Sequence, residues 1–292
     1  MLRTAATPRD DPDFLPLPDQ LARYRRSDRT RSHDYLHGVL LCEHCSQLRA
    51  EHATESRAVL SVWHTDSMSA ASLRARIRAE MSDEIKAAAR KHLAIEGANL
   101  SLRAVARDLG MASSALYRYF ASRDELLTAL IIDAYDALGA AAEAVPVFPT
   151  APQRWVEIAH AVRNWALANP HEWALVYGSP VPGYQAPSDT IGSATRVIFA
   201  FARVVAEAAT TGHAVAGSPV DGQLGEEFHA LAELALPGMA PQLAGRAMAG
   251  WIQVCGAVSA ELFGQLANTI DARREFFEFQ MRGTVDWIGL RA

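Results

Sequence analysis

Residues 101–127 read SLRAVARDLGMASSALYRYFASRDELL, a pattern that predicts two short helices joined by a tight turn and followed by a third helix. Ser101 is suited to cap the first helix, because its hydroxyl can accept a hydrogen bond from a backbone N–H. Gly110 is suited to end that helix, because glycine adopts a left-handed backbone conformation without strain. We expect Ser113 to cap the second helix as Ser101 caps the first.

The apolar residues of both short helices recur with helical spacing. The buried stripe of the first helix is predicted to consist of Leu102, Val105, Ala106 and Leu109. In the second helix, Leu116 and Phe120 are predicted to face inward. Ser114, Tyr117 and Arg118 then lie on the outer face. Two helices joined across a glycine-containing turn of this length predict a helix-turn-helix, whose second helix fits the major groove of DNA.

The third helix has its own start signal. Ser122 followed by Glu125 three residues later is a capping box, in which the Ser122 hydroxyl bonds the Glu125 N–H and the Glu125 side chain reaches back to the N–H of the capping residue. The buried stripe of this helix is predicted to consist of Leu126, Leu127, Leu130, Ile131, Ala134 and Leu138. The N–H groups at its start would point at a phosphate group, with Arg123 beside them.

This stretch and its flanks resemble the DNA-binding domain of the TetR family of bacterial regulators, over about fifty residues without a gap. The resemblance is carried by Gly97, Ser101, Val105, Ala106, Leu109, Gly110, residues 115–120 and residues 123–127. It implies that the positions that contact DNA are Ser101, Arg103, Ser113, Ser114, Tyr117, Arg118, Tyr119 and Arg123. Many family members have His where Tyr119 stands, but a phenol can also donate a hydrogen bond to a phosphate oxygen.

A longer helix is predicted before this unit, and Gly97 is suited to end it. Its inward face is predicted to consist of Ile77, Met81, Ile85, Ala88, Ala89 and His92. Arg74, Arg76 and Arg78 cluster near its start and allow two interpretations. They form either a solvated helix face or a basic arm that approaches the DNA backbone.

Residues 1–67 differ from the rest, because prolines interrupt a segment dense in Asp and Arg that has no sustained apolar stripe. We predict that this leader is disordered. Within it, Cys42 and Cys45 are followed by histidines and would fit half a zinc site, but the usual paired His spacing is missing, which favours a chance occurrence. Because coherent patterning begins only at Met68, a further hypothesis is that the native chain starts there.

The charge is unevenly distributed. The chain has a net charge of −5, whereas residues 68–130 carry +3 and residues 131–292 carry −7. The positive surplus lies where phosphates would be met. There is no run of about 18 apolar residues and no signal peptide, and three cysteines suit a reducing compartment better than a disulfide framework. We therefore expect a cytoplasmic protein that does not bind membranes.

Half of the residues are apolar and few stretches alternate strictly, which favours an all-α fold with a sizeable core. We expect the leader at residues 1–67, the helix-turn-helix domain at 68–140, and a helical domain for effector binding and dimerisation at 150–292. The sequence VPVFP at residues 145–149 is the predicted linker.

The last two predicted helices cover residues 241–268 and 271–290. The first is rich in Gly and Ala, which let another helix approach closely. Phe276, Phe277 and Phe279 in the second cannot all face one core. We predict that both helices form a four-helix homodimer interface, with two helices from each protomer. The alternative is that they complete the core of the monomer.

Part of the C-terminal domain further resembles the WHG-type subgroup of the TetR family. The matching residues are Pro170, Trp173, Tyr177, Gly178, Pro180, Pro182, Tyr184, Trp251, Gly256 and Gly264. Members often carry His at the position of Cys255, which is softer and less polar, so ligand preference does not carry over. Aromatic residues near proline-stiffened loops favour a pocket for a small apolar or aromatic effector over ordinary core packing. The predicted ligand-binding residues are Trp165, Trp173, Tyr177, Tyr184, Trp251 and Cys255, with Phe199 and Phe263 as further pocket walls.

The sequence has no Gly-rich phosphate loop, no G-x-S-x-G elbow and no H-E-x-x-H motif. We therefore expect no enzyme, no cofactor and no catalytic metal. The sequence predicts a ligand-responsive repressor that binds a palindromic double-stranded DNA operator as a homodimer. The alternative is a ligand-binding or protein-interaction module of the same fold that has lost DNA binding. The capping box and the exposed Arg118 favour the first interpretation.

Overall fold

The computed structural model describes residues 70–96, 100–235 and 238–292. In these ranges the chain is helical, apart from loops and one isolated bridge between Ala214 and Leu290, which confirms the all-α prediction. The leader at residues 1–67, with Cys42 and Cys45, lies outside the described residues, as does Met68. The helices are α1 (Ala70–Glu96), α2 (Leu102–Asp108), α3 (Ser113–Leu116), α4 (Arg123–Glu143), α5 (Ala151–Ala168), α6 (Pro170–Tyr177), α7 (Thr190–Thr210), α8 (Gly222–Ala235), α9 (Pro241–Leu262) and α10 (Arg273–Ile288).

A small N-terminal core is enclosed by α1, α2, α3 and the first half of α4. Ile85, Val105, Leu116 and Leu127, one from each helix, are fully buried in it. The predicted stripe of α4 is buried throughout, and that of α2 is buried except for its last residue, which is half-buried. Ile77 does not face this core and is 50% exposed. The reason is that the first turns of α1 extend beyond the helices on which the rest of α1 packs.

At the turn between α2 and α3, the predicted capping and turn residues are correct for α2 but not for α3. The Ser101 hydroxyl accepts a hydrogen bond from the Ala104 N–H, and Gly110 has a φ of +64°. The prediction that Ser113 caps α3 was wrong. The capping residue is Ala112, which has an extended backbone and no side-chain cap, so Ser113 is already the first helical residue.

Helix α3 is regular only as far as Leu116, which is shorter than predicted. Backbone bonds from the Arg118 N–H to the Ala115 carbonyl and from the Tyr119 N–H to the Leu116 carbonyl continue it as a tighter turn. The segment from residue 113 to residue 120 therefore still winds as one short helical unit.

The capping box of α4 is present in altered form. The Ser122 hydroxyl accepts a hydrogen bond from the Glu125 N–H at 3.0 Å, as predicted. The Glu125 carboxylate accepts one from the Ala121 N–H, one residue before the capping position. Both bonds satisfy backbone groups at the turn that joins α3 to α4.

The second half of α4 packs closely against α7. Gly139 permits this approach, because a Cβ there would lie 2.7 Å from the Cβ of Arg196. The Arg196 guanidinium bonds Asp136 at 2.9 Å and Glu143 at 2.6 Å, both on α4. The hydrogen bond from Arg196 holds the pKa of the Glu143 carboxyl below its usual range. Helix α4 is thus shared between the N-terminal core and the larger core that follows.

The larger core lies mainly between α4, α5, α7, α9 and α10. Its largest fully buried side chains include Trp155, Trp173, Phe201 and Phe277. Helix α9 ends at Leu262, earlier than predicted, because the chain turns at Gly264 with a φ of +77°.

Helix α6 joins the two cores. Arg90 of α1 bonds Glu172 of α6 at 2.7 Å and Asp133 of α4 at 2.6 Å. In the loop after α6, the Tyr184 hydroxyl lies 2.9 Å from the Thr128 hydroxyl of α4, and the Tyr184 ring packs against the N-terminal core. Side chains of both cores therefore meet at one junction.

Arg163 of α5 and Glu261 of α9 form a buried ion pair with two hydrogen bonds. Their side chains are 8% and 6% exposed, and Arg163 Nε lies 2.7 Å from Glu261 Oε2. The ring of Phe277 packs against the guanidinium, with its centroid 5.7 Å from the guanidinium carbon. Such a pair contributes little net stability, but a charge left without its partner is costly.

Replacing Glu261 by Leu should lower the free energy of unfolding by about 3–5 kcal/mol, because Arg163 then keeps a buried charge without compensation. Urea unfolding followed by circular dichroism measures this change. The matched double variant, Arg163→Leu with Glu261→Leu, should recover most of the loss, since neither charge remains. A double variant as unstable as the single one would contradict this explanation.

Candidate functional site

Ser114, Tyr117 and Arg118 lie on one exposed face of the α3 segment, because positions three and four residues apart are neighbours on a helix. Tyr117 is 45% exposed although it is a large aromatic residue. Among the described residues, the Arg118 side chain has no hydrogen-bond or ion-pair partner, so its guanidinium can bind a ligand. The buried side chains of Leu116 and Phe120 hold the segment on the core from its other face.

Four more of the residues predicted to contact DNA lie at the starts of α2, α3 and α4, and the last, Tyr119, lies at the C-terminal end of the α3 segment. Arg103 is exposed, and Ser101 is exposed with its hydroxyl in the cap of α2. Ser113 and Arg123 are half-buried, and the Arg123 guanidinium lies 3.4 Å from the Asp124 carboxylate. Their contact with DNA stays a prediction.

Arg78 of α1 fixes the C-terminal end of the α3 segment. Its Nη2 donates a hydrogen bond to the Arg118 carbonyl at 2.9 Å, and its guanidinium carbon lies 5.4 Å from the centre of the half-buried Tyr119 ring. A positive charge at a helix C-terminus is favourable. The two interpretations of the arginine cluster on α1 did not include this supporting contact. No local sequence signal indicates it, because the partners are 40 positions apart.

A second contact that the sequence did not indicate fixes α2 on α1. His92, predicted only as part of the inward face, is 8% exposed and its Nε2 lies 2.7 Å from the carboxylate of Asp108. Asp108 is the last residue of α2, immediately before the turn to α3. The position of α3 therefore depends on α1 at two points.

Three of the predicted ligand-binding residues meet in the larger core. The ring of Tyr177 lies 4.5 Å from that of Trp173 and 5.7 Å from that of Trp251. Trp173 and Trp251 are buried, and Trp173 Nε1 donates a hydrogen bond to the Ser259 hydroxyl. Burial raises the pKa of the Tyr177 phenol above its usual range. These rings pack against one another, and their contact with a ligand stays a prediction.

Of the remaining three predicted ligand residues, Cys255 lies beside Tyr177, whereas Trp165 and Tyr184 have different surroundings. Cys255 packs against the larger core, and burial raises the pKa of its thiol to about 12. Trp165 is half-buried at the edge of the same core. Tyr184 lies apart from both, at the junction of the two cores.

Two cavities lie on either side of α7. The first, which we call the α8 cavity, has a volume of about 120 Å³, is bounded by α7, α8 and α9, and is lined by Thr195 and by apolar side chains that include Phe199. The second, which we call the junction cavity, has a volume of about 480 Å³ and lies between α4, α7 and the loop that follows α6. Its lining includes Tyr135, Tyr184 and again Thr195. The α8 cavity contains none of the six predicted ligand-binding residues.

Among the described residues, none of the helices is both long and apolar enough to cross a membrane. Within the same ranges, no three His, Cys, Asp or Glu side chains are grouped as they would be around a metal ion.

Family models match both parts of the chain. The model described as bacterial regulatory proteins of the tetR family matches residues 85–130, which contain α2 and α3. The model described as the tetracyclin repressor-like C-terminal domain matches residues 155–284. The first match ends within α4 and the second begins within α5.

Curated relatives agree with this assignment. The chain is 43% identical over 196 residues to the HTH-type transcriptional regulator Rv1816 of Mycobacterium tuberculosis and to its counterpart Mb1846 of Mycobacterium bovis. The aligned residues cover 64% of this chain and 83% of each relative. Their descriptions are of transcription regulators, a class without catalysis, which confirms the expectation that the chain is not an enzyme.

Solved structures share the fold. The crystal structure of SCO4313 is 32% identical, with a TM-score of 0.61 over 73% of this chain and 98% of that one. A tetR-family regulatory protein from Rhodococcus RHA1 is 18% identical, with a TM-score of 0.51 over 72% and 98%, and shows the fold alone. Together with the exposed face of α3 and the two family models, these likenesses show that the chain belongs to the TetR family of DNA-binding transcriptional regulators.

Proposed function

We propose that the protein is a homodimeric, ligand-responsive repressor that acts in the cytoplasm on a roughly palindromic operator. The observation that carries the proposal is the α3 segment, where the unpartnered guanidinium of Arg118 lies beside exposed Tyr117 and Ser114 on a helix held at both ends. An arginine on such a helix can bond the edge of a guanine in the major groove. Two such helices in a two-fold dimer read two half-sites one helical turn apart.

The support for a homodimer comes from α9 and α10. Ile252 is 62% exposed, Phe279 73% and Trp287 56%, although all are large apolar residues. Gly256 and Gly283 lie on the same two helices, and a Cβ at either position would meet nothing within 4 Å. Apolar side chains around open glycine positions favour close packing with a second helix pair. Phe277, in contrast, is buried in the protomer, as expected if the phenylalanines of α10 divide between core and partner.

The support for an effector response comes from the junction of the two cores. Helix α4 carries the start of the DNA-binding surface at one end and packs on α7 at the other. A ligand that favours one arrangement of α6 and α7 would bias the position of α4, by as much as its affinities for the two arrangements differ. We keep Trp165, Trp173, Tyr177, Tyr184, Trp251 and Cys255 as proposed effector contacts.

Replacing Arg118 by Ala should weaken operator binding by about 1–3 kcal/mol if the guanidinium bonds a guanine, and should relax base preference at that position. The measurement is a mobility-shift titration with DNA from upstream of the protein's own gene. Arg273→Ala is the matched control, because it removes an equal charge from the exposed start of α10. No shift with the wild type would favour the alternative of a module that has lost DNA binding, whereas equal affinities for the wild type and Arg118→Ala would show that Arg118 does not contact the operator.

Replacing Arg78 by Ala should weaken operator binding about fivefold, because the lost hydrogen bond is worth about 1 kcal/mol and no longer fixes the Arg118 backbone. Fluorescence anisotropy at two salt concentrations measures the affinity and its salt dependence. Arg74→Ala removes the same charge one helical turn away without this hydrogen bond. Equal losses in both variants that vanish at high salt would show that Arg78 acts through charge alone.

Replacing Phe279 by Asp should convert the dimer to a monomer, because a carboxylate would be buried without a partner in the proposed interface. Light scattering after size-exclusion chromatography measures the mass. Leu224→Asp is the control, since Leu224 is a large apolar residue that is 50% exposed on α8, a helix outside the proposed interface. A Phe279→Asp protein that remains dimeric would place the interface elsewhere.

A further inference from the structure

We infer that the α8 cavity is a binding site for a small, uncharged apolar molecule, such as a short alkyl chain or a single ring. This inference deepens the effector part of the proposed function and rests on it for its regulatory meaning. It places an apolar ligand on the face of α7 opposite to α4, beside Phe199, which the sequence predicts as a pocket wall, and apart from the six residues proposed above as effector contacts.

The walls of the α8 cavity come from three helices and the turn before α9. Ile198 and Ala202 belong to α7, Leu231 to α8 and Met248 to α9, and Met239 precedes α9. The volume of about 120 Å³ is close to that of apolar cavities that take up benzene-sized molecules, and the cavity is partly open, so a ligand can enter. An apolar occupant would make close contacts with the apolar walls that water cannot supply.

The large aromatic side chains of the larger core fill the space around them. Trp155 and Trp173 are fully buried, and Phe201 is 1% exposed with its ring 4.5 Å from that of Trp155. These side chains occupy the space between α5, α7 and α9. The unfilled apolar volume therefore lies on the other side of α7.

The lining determines which chemistry the cavity accepts. Its polar side chain, Thr195, already donates its hydroxyl hydrogen within α7, towards the Ile191 carbonyl at 3.0 Å or the Gly192 carbonyl at 3.1 Å. No charged side chain lines it among the described residues. A carboxylate or ammonium group would lose its hydration without compensation, and a peptide segment would bring unpaired backbone groups. An uncharged apolar ligand has neither cost.

The cavity is held open by a fixed contact and bounded by adaptable side chains. The ring of Phe228 on α8 packs onto Gly245 of α9 so closely that a Cβ there would lie 2.4 Å from it. This contact sets the distance between the two helices one turn before Leu231. Met239 and Met248 have flexible thioether chains, which adjust to ligands of different shape.

The test is a series of straight-chain alcohols, from butan-1-ol to octan-1-ol, added to the full-length protein without DNA. Thermal unfolding and isothermal titration calorimetry measure binding. We expect the melting temperature to rise, with the largest rise at an intermediate chain length, and hexanoate to have no effect. Ala202→Leu should weaken the best alcohol at least tenfold because it fills the cavity.

Ala194→Leu is the matched control, because Ala194 lies on the same helix but lines only the junction cavity. If Ala202→Leu does not fold, Ile198→Ala provides the second test, since a larger cavity should shift the preferred alcohol to a longer chain. The inference is overturned if no alcohol binds the wild type, if hexanoate binds as well as hexan-1-ol, or if Ala194→Leu causes the loss. Operator binding by the ligand-free protein is measured separately, so its failure would overturn the proposed function and leave the cavity result standing.

Discussion

The close crossing of α4 and α7 at Gly139 is the constraint on which the rest of the structure depends. The Cβ of Arg196 occupies the space that a side chain at position 139 would need, and the Arg196 guanidinium then bonds carboxylates on both sides of that glycine. Helix α4 cannot slide along α7 without breaking these bonds. The other end of α4 is packed in the N-terminal core with α1, α2 and α3, so α4 is the packed connection between α7 and the DNA-binding unit.

Helix α7 has different neighbours on its two sides. Arg196 faces α4, whereas Ile198 and Ala202 face the α8 cavity, and Thr195 lies between the two cavities. An occupant of the α8 cavity would therefore contact the same helix that holds α4. Two packed helices, α7 and α4, would connect such an occupant to the DNA-binding unit, and a bias between two helix arrangements would need only a difference in the occupant's affinity for them.

The sequence predicted those parts of the fold that depend on local chemistry. Ser101, Gly110 and Ser122 act where their capping and turn preferences place them. Ser113 failed as a cap because serine is favoured both at the capping position and in the first turn, and local sequence does not separate these one-residue shifts. The family resemblance, carried by the same stretch, was confirmed by the comparisons.

Contacts between distant parts of the chain could not be predicted. Nothing near Arg78 indicates that it would bond the carbonyl of Arg118, and nothing near Arg163 indicates Glu261 as its partner. The aromatic residues were predictable as a group, because aromatic side chains cluster in the interior. Which of them fill space and which border a cavity depends on how helices pack, and periodicity carries no information about that.

The environment of Cys255 has a consequence for the signals to which this regulator can respond. Thiolates, not thiols, react with peroxides and disulfides, and the pKa of Cys255, raised to about 12, leaves almost no thiolate at neutral pH. Burial beside Tyr135 and Tyr177 thus makes this position chemically inert while it remains soft and polarisable. Cys255 therefore offers its surroundings a soft, weakly polar surface rather than a thiol that is readily oxidised.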